Sequence, residues 1–81
     1  MKVRVQFFSR LRDLVGTPAM ELEVPAGTTA GELLEILYSK TSALRDWDKS
    51  LLIAVGVDFV ERDYALKPAD EVSIMPPVQG G

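Results

Sequence analysis

Neither cysteine nor histidine occurs anywhere in the 81 residues. Without cysteine there is no disulfide, no thiolate nucleophile and no zinc thiolate. Without histidine, the commonest general base near neutral pH and the commonest metal ligand are both missing, so no metal site is expected. The phosphate-binding patterns GxxxxGK and GxGxxG are absent as well. Long apolar runs are lacking too. The longest, Leu51 to Val57, falls far short of a membrane span, and Arg4 and Arg10 interrupt any N-terminal signal core. The expectation is a cytoplasmic protein without a membrane partner. Positive charge is in deficit, with 9 basic against 12 acidic residues and a net charge of −3, which argues against a nucleic-acid partner. A chain of this length forms one domain that buries ~60–65% of its unfolded surface, with no spare volume for an internal cofactor.

What is present begins with a period-two pattern. Val3, Val5 and Phe7 alternate with Lys2, Arg4 and Gln6, as in a half-buried strand. Ser9 offers an N-cap, Leu11, Leu14 and Val15 follow at helical spacing, and Gly16 is a stop. Met20, Leu22 and Val24 alternate with Glu21 and Glu23 in a second strand that ends at the turn signal Pro25-Ala26-Gly27. Thr29 and Glu32 have the spacing of a capping box. Ala30, Leu33, Leu34 and Leu37 then predict a helix over about residues 30–40, with Ile36 widening its apolar stripe.

Residues 39–50 read as a polar loop pinned by Trp47. Leu51 to Gly56 reads as a well-buried strand, Val57-Asp58 as a turn and Phe59-Val60 as a short return strand. Glu61 to Asp70 is a loop, with Leu66 plugging the core and Pro68 preventing helix. Glu71 to Met75 is the final strand, with Val72 and Ile74 inward and Met75 outward. Exposed apolar side chains at Met75 and Phe59 make both candidates for a partner interface. The carboxylates at Glu21, Glu23, Glu32, Glu35, Asp46 and Asp48 read as surface charges, Glu32 being committed to the capping box.

The remaining chemistry lies in the last residues, Met75-Pro76-Pro77-Val78-Gln79-Gly80-Gly81. Pro76 cannot donate to a ladder and ends the strand. Pro76 and Pro77 favour an extended course, and Gly80 and Gly81 keep the terminal backbone slim. Residues 1–75 thus read as a domain and 76–81 as a flexible tail suited to a narrow site on another protein. Its C-terminal carboxylate is an anion at neutral pH and a poor electrophile. An external ATP-using enzyme would have to make an acyl-adenylate at Gly81, for transfer to a sulfur nucleophile or to an amine.

The run of strands around a long helix, closing on Gly-Gly, resembles the ubiquitin-like β-grasp fold, an α+β class with a mixed sheet of four to five strands on one main helix. The ending Asp70-Glu71-Val72-Ser73-Ile74-Met75-Pro76-Pro77-Val78-Gln79-Gly80-Gly81 resembles the D-E-V-x-x-x-P-P-V-x-G-G of molybdopterin synthase small subunits (MoaD-like sulfur carriers). Val5-Gln6-Phe7-Phe8, Leu11-Arg12, Leu14-Val15-Gly16 and Leu52-Ile53-Ala54-Val55 with Phe59-Val60 agree with it. Family members usually have glycine where Ala69 stands. A turn that needs positive φ there is strained by alanine, so a loop of different shape is expected.

The resemblance implies a sulfur carrier with no active site or bound cofactor of its own. An E1-like enzyme would use ATP to adenylate Gly81, and a sulfur donor protein would complete the thiocarboxylate. The tail from Pro76 through Val78 and Gln79 to Gly80 would enter the large subunit of molybdopterin synthase, in a heterotetramer of two small and two large subunits. There it would give sulfur to cyclic pyranopterin monophosphate. The residues leave other outcomes open: a sulfur carrier for thiamine, tRNA thiolation or cysteine, a ubiquitin-like modifier joined through Gly81 to lysines, or a β-grasp interaction module.

Overall fold

The computed structural model describes residues 1–77. Strand β1 (Lys2–Phe7) alternates as its pattern predicts, with Val3, Val5 and Phe7 buried and Lys2 and Arg4 exposed. Helix α1 (Arg10–Val15) follows after two residues. Ser9 occupies the cap position, but its side chain makes no capping hydrogen bond and its backbone lies at φ 53, ψ −131. This corrects the expected serine cap, because a capping oxygen reaches the first turn from an extended backbone. The buried side of α1 runs through Leu11 and half-buried Val15, one helical turn apart, which leaves Leu14 40% exposed. Gly16 ends the helix at φ 88, a left-handed conformation open to glycine, and its N–H donates to the Arg12 carbonyl at 2.9 Å.

Strand β2 (Ala19–Glu23) pairs antiparallel with β1, setting Leu22 opposite Val3 and Met20 opposite Val5. Helix α2 (Ala30–Lys40) starts with the predicted capping box. The Glu32 N–H donates to Thr29 Oγ1 at 3.1 Å, and the Thr29 N–H donates to Glu32 Oε1 at 2.8 Å. Two further amides of its first turn, those of Ala30 and Gly31, donate at 2.8 Å to the carbonyls of Tyr64 and Arg62, so the helix end meets few unpaired donors. Ala30, Leu33, Leu34 and Leu37 are buried as expected, together with Tyr38.

Residues Ser42–Ser50, expected as loop, form a 3₁₀ segment. Three residues per turn eclipse side chains at i and i+3. Leu44 and Trp47 therefore fall on one side, where Leu44 is fully buried and Trp47 packs against the core. Strand β3 (Leu52–Val55) is shorter than expected and is not buried throughout: Leu51, Ile53 and Ala54 are buried while Leu52 is 36% exposed. The hairpin turn falls on Gly56-Val57, one residue before the expected Val57-Asp58, and β4 is Asp58–Phe59 instead of Phe59-Val60. Gly56 sets this register. A two-residue hairpin needs positive φ in its turn, and Gly56 lies at φ 61.

Leu66 plugs the core from the long loop. Ala69 adopts φ 67, so the expectation of a differently shaped loop is corrected: alanine holds the left-handed position. The conformation is kept by hydrogen bonds on both sides, Asp70 N–H to the Lys67 carbonyl at 3.1 Å and Ala69 N–H to the Lys2 carbonyl at 2.9 Å. Strand β5 (Glu71–Met75) then runs between β1, to which it is parallel, and β3, to which it is antiparallel. The sheet order is β2-β1-β5-β3-β4. Its inner rows pack with α2 into one cluster in which Val5, Leu11, Leu33, Val72 and Ile74 have no exposure. This is the α+β β-grasp architecture, a five-stranded mixed sheet folded around one main helix.

Candidate functional site

The chain leaves the fold from the middle of the sheet. Ile74 is flanked by Phe7 on β1 and Ile53 on β3, and Met75 stands opposite Leu52. A strand hydrogen-bonded on both edges is a rigid base, and Pro76, lacking an N–H, stops the ladder there. Pro76 and Pro77 are half-buried at this exit. Val78, Gln79, Gly80 and Gly81, which the sequence singles out for the chemistry, lie outside the described residues.

Around the exit the uncovered face of the sheet presents several apolar side chains beside the paired Gln6 and Ser73. Met75 is half-buried and shares this face with Leu52. Phe59, opposite Ala54 on the same face, is 70% exposed. Phe8, directly after β1, is 42% exposed, and its N–H extends the parallel ladder to the Ile74 carbonyl at 3.3 Å. The structure thus brings Phe59 and Met75 onto one surface and adds Phe8 and Leu52 to it. Sequence reasoning missed both. Phe8 continues the alternation of Lys2, Arg4 and Gln6, a usable signal, whereas Leu52 is masked by the aliphatic neighbours on either side of it.

Beside the exit is a cleft of about 500 Å³, lined by Ser9, Arg10, Trp47, Pro76 and Pro77. Among the described residues, its walls come from the β1–α1 turn, the 3₁₀ segment and the tail root, stretches brought together only by folding.

Proton-transfer machinery is not evident among the described residues. Tyr38, Asp48 and Arg62 form one polar cluster joining α2, the 3₁₀ segment and the long loop. The Tyr38 hydroxyl donates to Asp48 Oδ1, Arg62 Nη1 donates to the same oxygen at 2.9 Å, and Arg62 Nη2 donates to the Asp48 carbonyl. Burial, then the bond to Asp48, pushes the Tyr38 phenol up to about 12. The Tyr38 hydroxyl and then Arg62 hold the Asp48 carboxyl below its ordinary range. Both shifts move the groups away from neutrality, which suits a structural tie rather than a general acid or base. Asp48 is therefore not the free surface charge expected from sequence.

Among the described residues, Pro76 and Pro77 thus leave the centre of the sheet beside exposed apolar side chains. The ThiS family profile matches residues 5–81. The chain belongs to the ThiS family. It is 38% identical to the molybdopterin synthase sulfur carrier subunit of Escherichia coli, with 98% of this chain and 99% of that one covered. Among solved structures, a putative molybdopterin converting factor subunit 1 from Pyrococcus furiosus superposes with a TM-score of 0.87 at 32% identity. The match covers 96% of this chain and 99% of that one. A chain in the complex of subunits 1 and 2 of the molybdopterin-converting factor from Helicobacter pylori matches over the full length of both chains. Its TM-score is 0.73, at 28% identity. No helix among the described residues is long and apolar enough to cross a membrane.

Proposed function

We propose that this chain is the sulfur carrier of a molybdopterin synthase, with residues 1–75 as the platform and 76–81 as the delivery tail. The observation that bears most on this is the departure of the Pro-Pro root from the centre of the sheet, two residues ahead of Gly80-Gly81 in the sequence, in a chain similar over nearly its whole length to such carriers.

The steps follow from the chemistry of a carboxylate. An activating enzyme joins the Gly81 carboxylate to the α-phosphate of ATP, releasing pyrophosphate and leaving an acyl-adenylate. A persulfide on a donor protein then attacks the Gly81 carbonyl and expels AMP, forming an acyl disulfide; a thiol cleaves its S–S bond, leaving with the donor sulfur as a disulfide and freeing the thiocarboxylate. The tail enters the large subunit, where the thiocarboxylate sulfur is transferred to cyclic pyranopterin monophosphate. Hydrolysis of the remaining acyl link restores the Gly81 carboxylate. Two such deliveries supply a dithiolene, in keeping with an assembly of two small and two large subunits. Pro76, Pro77 and Val78 limit the conformational freedom lost on insertion, and Gly80 keeps the backbone thin enough for a fitted channel. Phe59, Met75, Leu52 and Phe8 form the docking face, and acid–base groups are left to the partner.

Intact-mass measurement after incubation with the activating enzyme, ATP and a sulfur donor tests this reading. The expected change is one oxygen replaced by sulfur at Gly81, reversed when the large subunit and the pterin precursor are added. An unchanged mass, with an activating enzyme competent on another carrier, would refute it. Appearance of lysine-linked conjugates without the sulfur-for-oxygen exchange would point to a protein modifier.

A further inference from the structure

We propose that the cleft at the tail root, formed by Ser9, Arg10, Trp47, Pro76 and Pro77, receives an acidic segment of the acceptor subunit. A carboxylate pairs with Arg10, and an apolar neighbour lies on Trp47 and the prolines. This deepens the sulfur-carrier reading and rests on it.

Charge distribution is the first support. Residues 1–18 carry a net charge of +3, whereas residues 19–81 carry −6. Within the positive stretch, Lys2 and Arg4 stand opposite Glu23 and Glu21 in the β1–β2 ladder, and Arg4 also faces Glu71 across β5. None of Lys2, Arg4, Arg10 and Arg12 lies within salt-bridge distance of a carboxylate among the described residues, and Arg10 and Arg12 also have no acidic residue placed opposite them in the sheet. On α1 itself Arg10 and Arg12 outnumber Asp13, so the short helix beside the tail exit keeps a net positive charge. A second cleft on the β1–α1 side, which includes Phe8, has Arg4 and Arg12 as its only charged lining among the described residues. An acidic chain that concentrates cations at one point selects partners of opposite charge there and repels like-charged ones.

The wall itself is the second support. Trp47 and Arg10 are residue types that dominate interface energetics when packed in a recess, and here both line a cleft bounded by two half-buried prolines. Ser9 turns the chain sharply between Phe8 and Arg10. The Leu11 N–H closes that turn onto the Phe8 carbonyl at 3.1 Å, and Ser9 holds a positive-φ conformation that glycine takes far more readily. Backbone held in a disfavoured region next to the exit is consistent with a shape retained for recognition. The cleft also adjoins the exit of the apolar face, and an apolar contact surface suits a lasting subunit assembly better than a brief encounter. This favours the acceptor subunit over the activating enzyme as the occupant.

The test measures affinity of the full chain for the large subunit of its molybdopterin synthase across a range of sodium chloride concentrations. Charging of Gly81 by the activating enzyme is followed in parallel by intact mass. Arg10→Glu is expected to weaken binding on the order of tenfold and Arg10→Ala less, with the wild-type sensitivity to salt reduced in both. Lys40→Glu, on exposed helix surface, is expected to bind like wild type. Melting temperatures and charging are expected to be unchanged in all three. If Arg10→Glu binds the acceptor with wild-type affinity and salt dependence, the cleft proposal is overturned while the carrier reading stands. Loss of charging with acceptor affinity intact would also overturn it, by assigning the cleft to the activating enzyme. Failure of the wild-type chain to bind the large subunit would remove both readings.

Discussion

Leu52 and Met75 stand opposite each other in the β3–β5 ladder, on the sheet face that α2 does not cover. Their pairing ties the apolar surface to the residue immediately before the tail. Phe59, the most exposed of the aromatic side chains on this face, makes the cleanest probe of its use. Phe59→Asp is expected to weaken binding to the large subunit on the order of tenfold, with the melting temperature unchanged because little burial is lost. Equal affinity for variant and wild type in a titration would exclude this face from the interface.

Ala69 holds φ 67 in a turn where glycine has no steric penalty. The left-handed conformation costs a non-glycine residue ~1–2 kcal/mol. Part of any relief is offset by the greater freedom of glycine in the unfolded chain. Ala69→Gly is therefore expected to stabilise the fold by a net of roughly 0.5–1 kcal/mol, read as a higher melting temperature in circular dichroism. A lower one would mean that the strain assigned to this turn is not there.

The Tyr38–Asp48–Arg62 tie gives stability a pH dependence at both extremes. The Asp48 carboxyl is held below its ordinary range, first by the Tyr38 hydroxyl and then by Arg62, so the folded state favours its ionised form. That contribution is present above pH ~4, the ordinary carboxylate value, and is lost as pH falls through the depressed one. The Tyr38 phenol is pushed up to about 12, first by burial. Its contribution is complete below pH ~10, the ordinary phenol value, and is lost as pH rises toward the raised one. Tyr38→Phe is expected to lower the melting temperature at neutral pH and flatten both limbs. Melting curves from pH 2 to 11 that superpose on wild type would show that the tie contributes nothing.

Gly81→Ala is expected to reduce sulfur transfer nearly to background, since an added Cβ crowds the reacting carbonyl in a site fitted to bare backbone. Thermal stability should stay at the wild-type value, because the substitution lies beyond the last strand. Near-normal turnover of the variant in a reconstituted synthase assay would contradict the role given to Gly81.

Much of the architecture is legible in residue order because it rests on short-range rules. The period-two alternation of β1 and β5, the Thr29–Glu32 capping box and the Leu33-Leu34-Leu37 stripe each state an element and its buried side. The errors have local physical causes. At β3, a run of aliphatics carries no alternation, so the outward direction of Leu52 is not visible. At the hairpin, Gly56 overrides Asp58 as the turn former. Ser42–Ser50 has too little apolar periodicity to announce a 3₁₀ segment, whose Leu44–Trp47 spacing becomes meaningful only once the core is there to receive it.

By itself, the sequence determined which side-chain chemistries are unavailable and singled out the stretch to which the function is proposed to belong. Absent cysteine and histidine remove thiolate and imidazole chemistry, and a slim Gly80-Gly81 pair after two prolines stands out, because such effects depend on side-chain identity and backbone freedom alone. Only the tertiary structure decided what surrounds the base of that tail. Placing β5 between β1 and β3 joins Phe8, Leu52, Phe59 and Met75 into one face and closes a cleft from Ser9, Arg10 and Trp47 against Pro76 and Pro77. These residues are distant along the chain, and strand pairing, through its register and its central parallel pair, is what makes them neighbours.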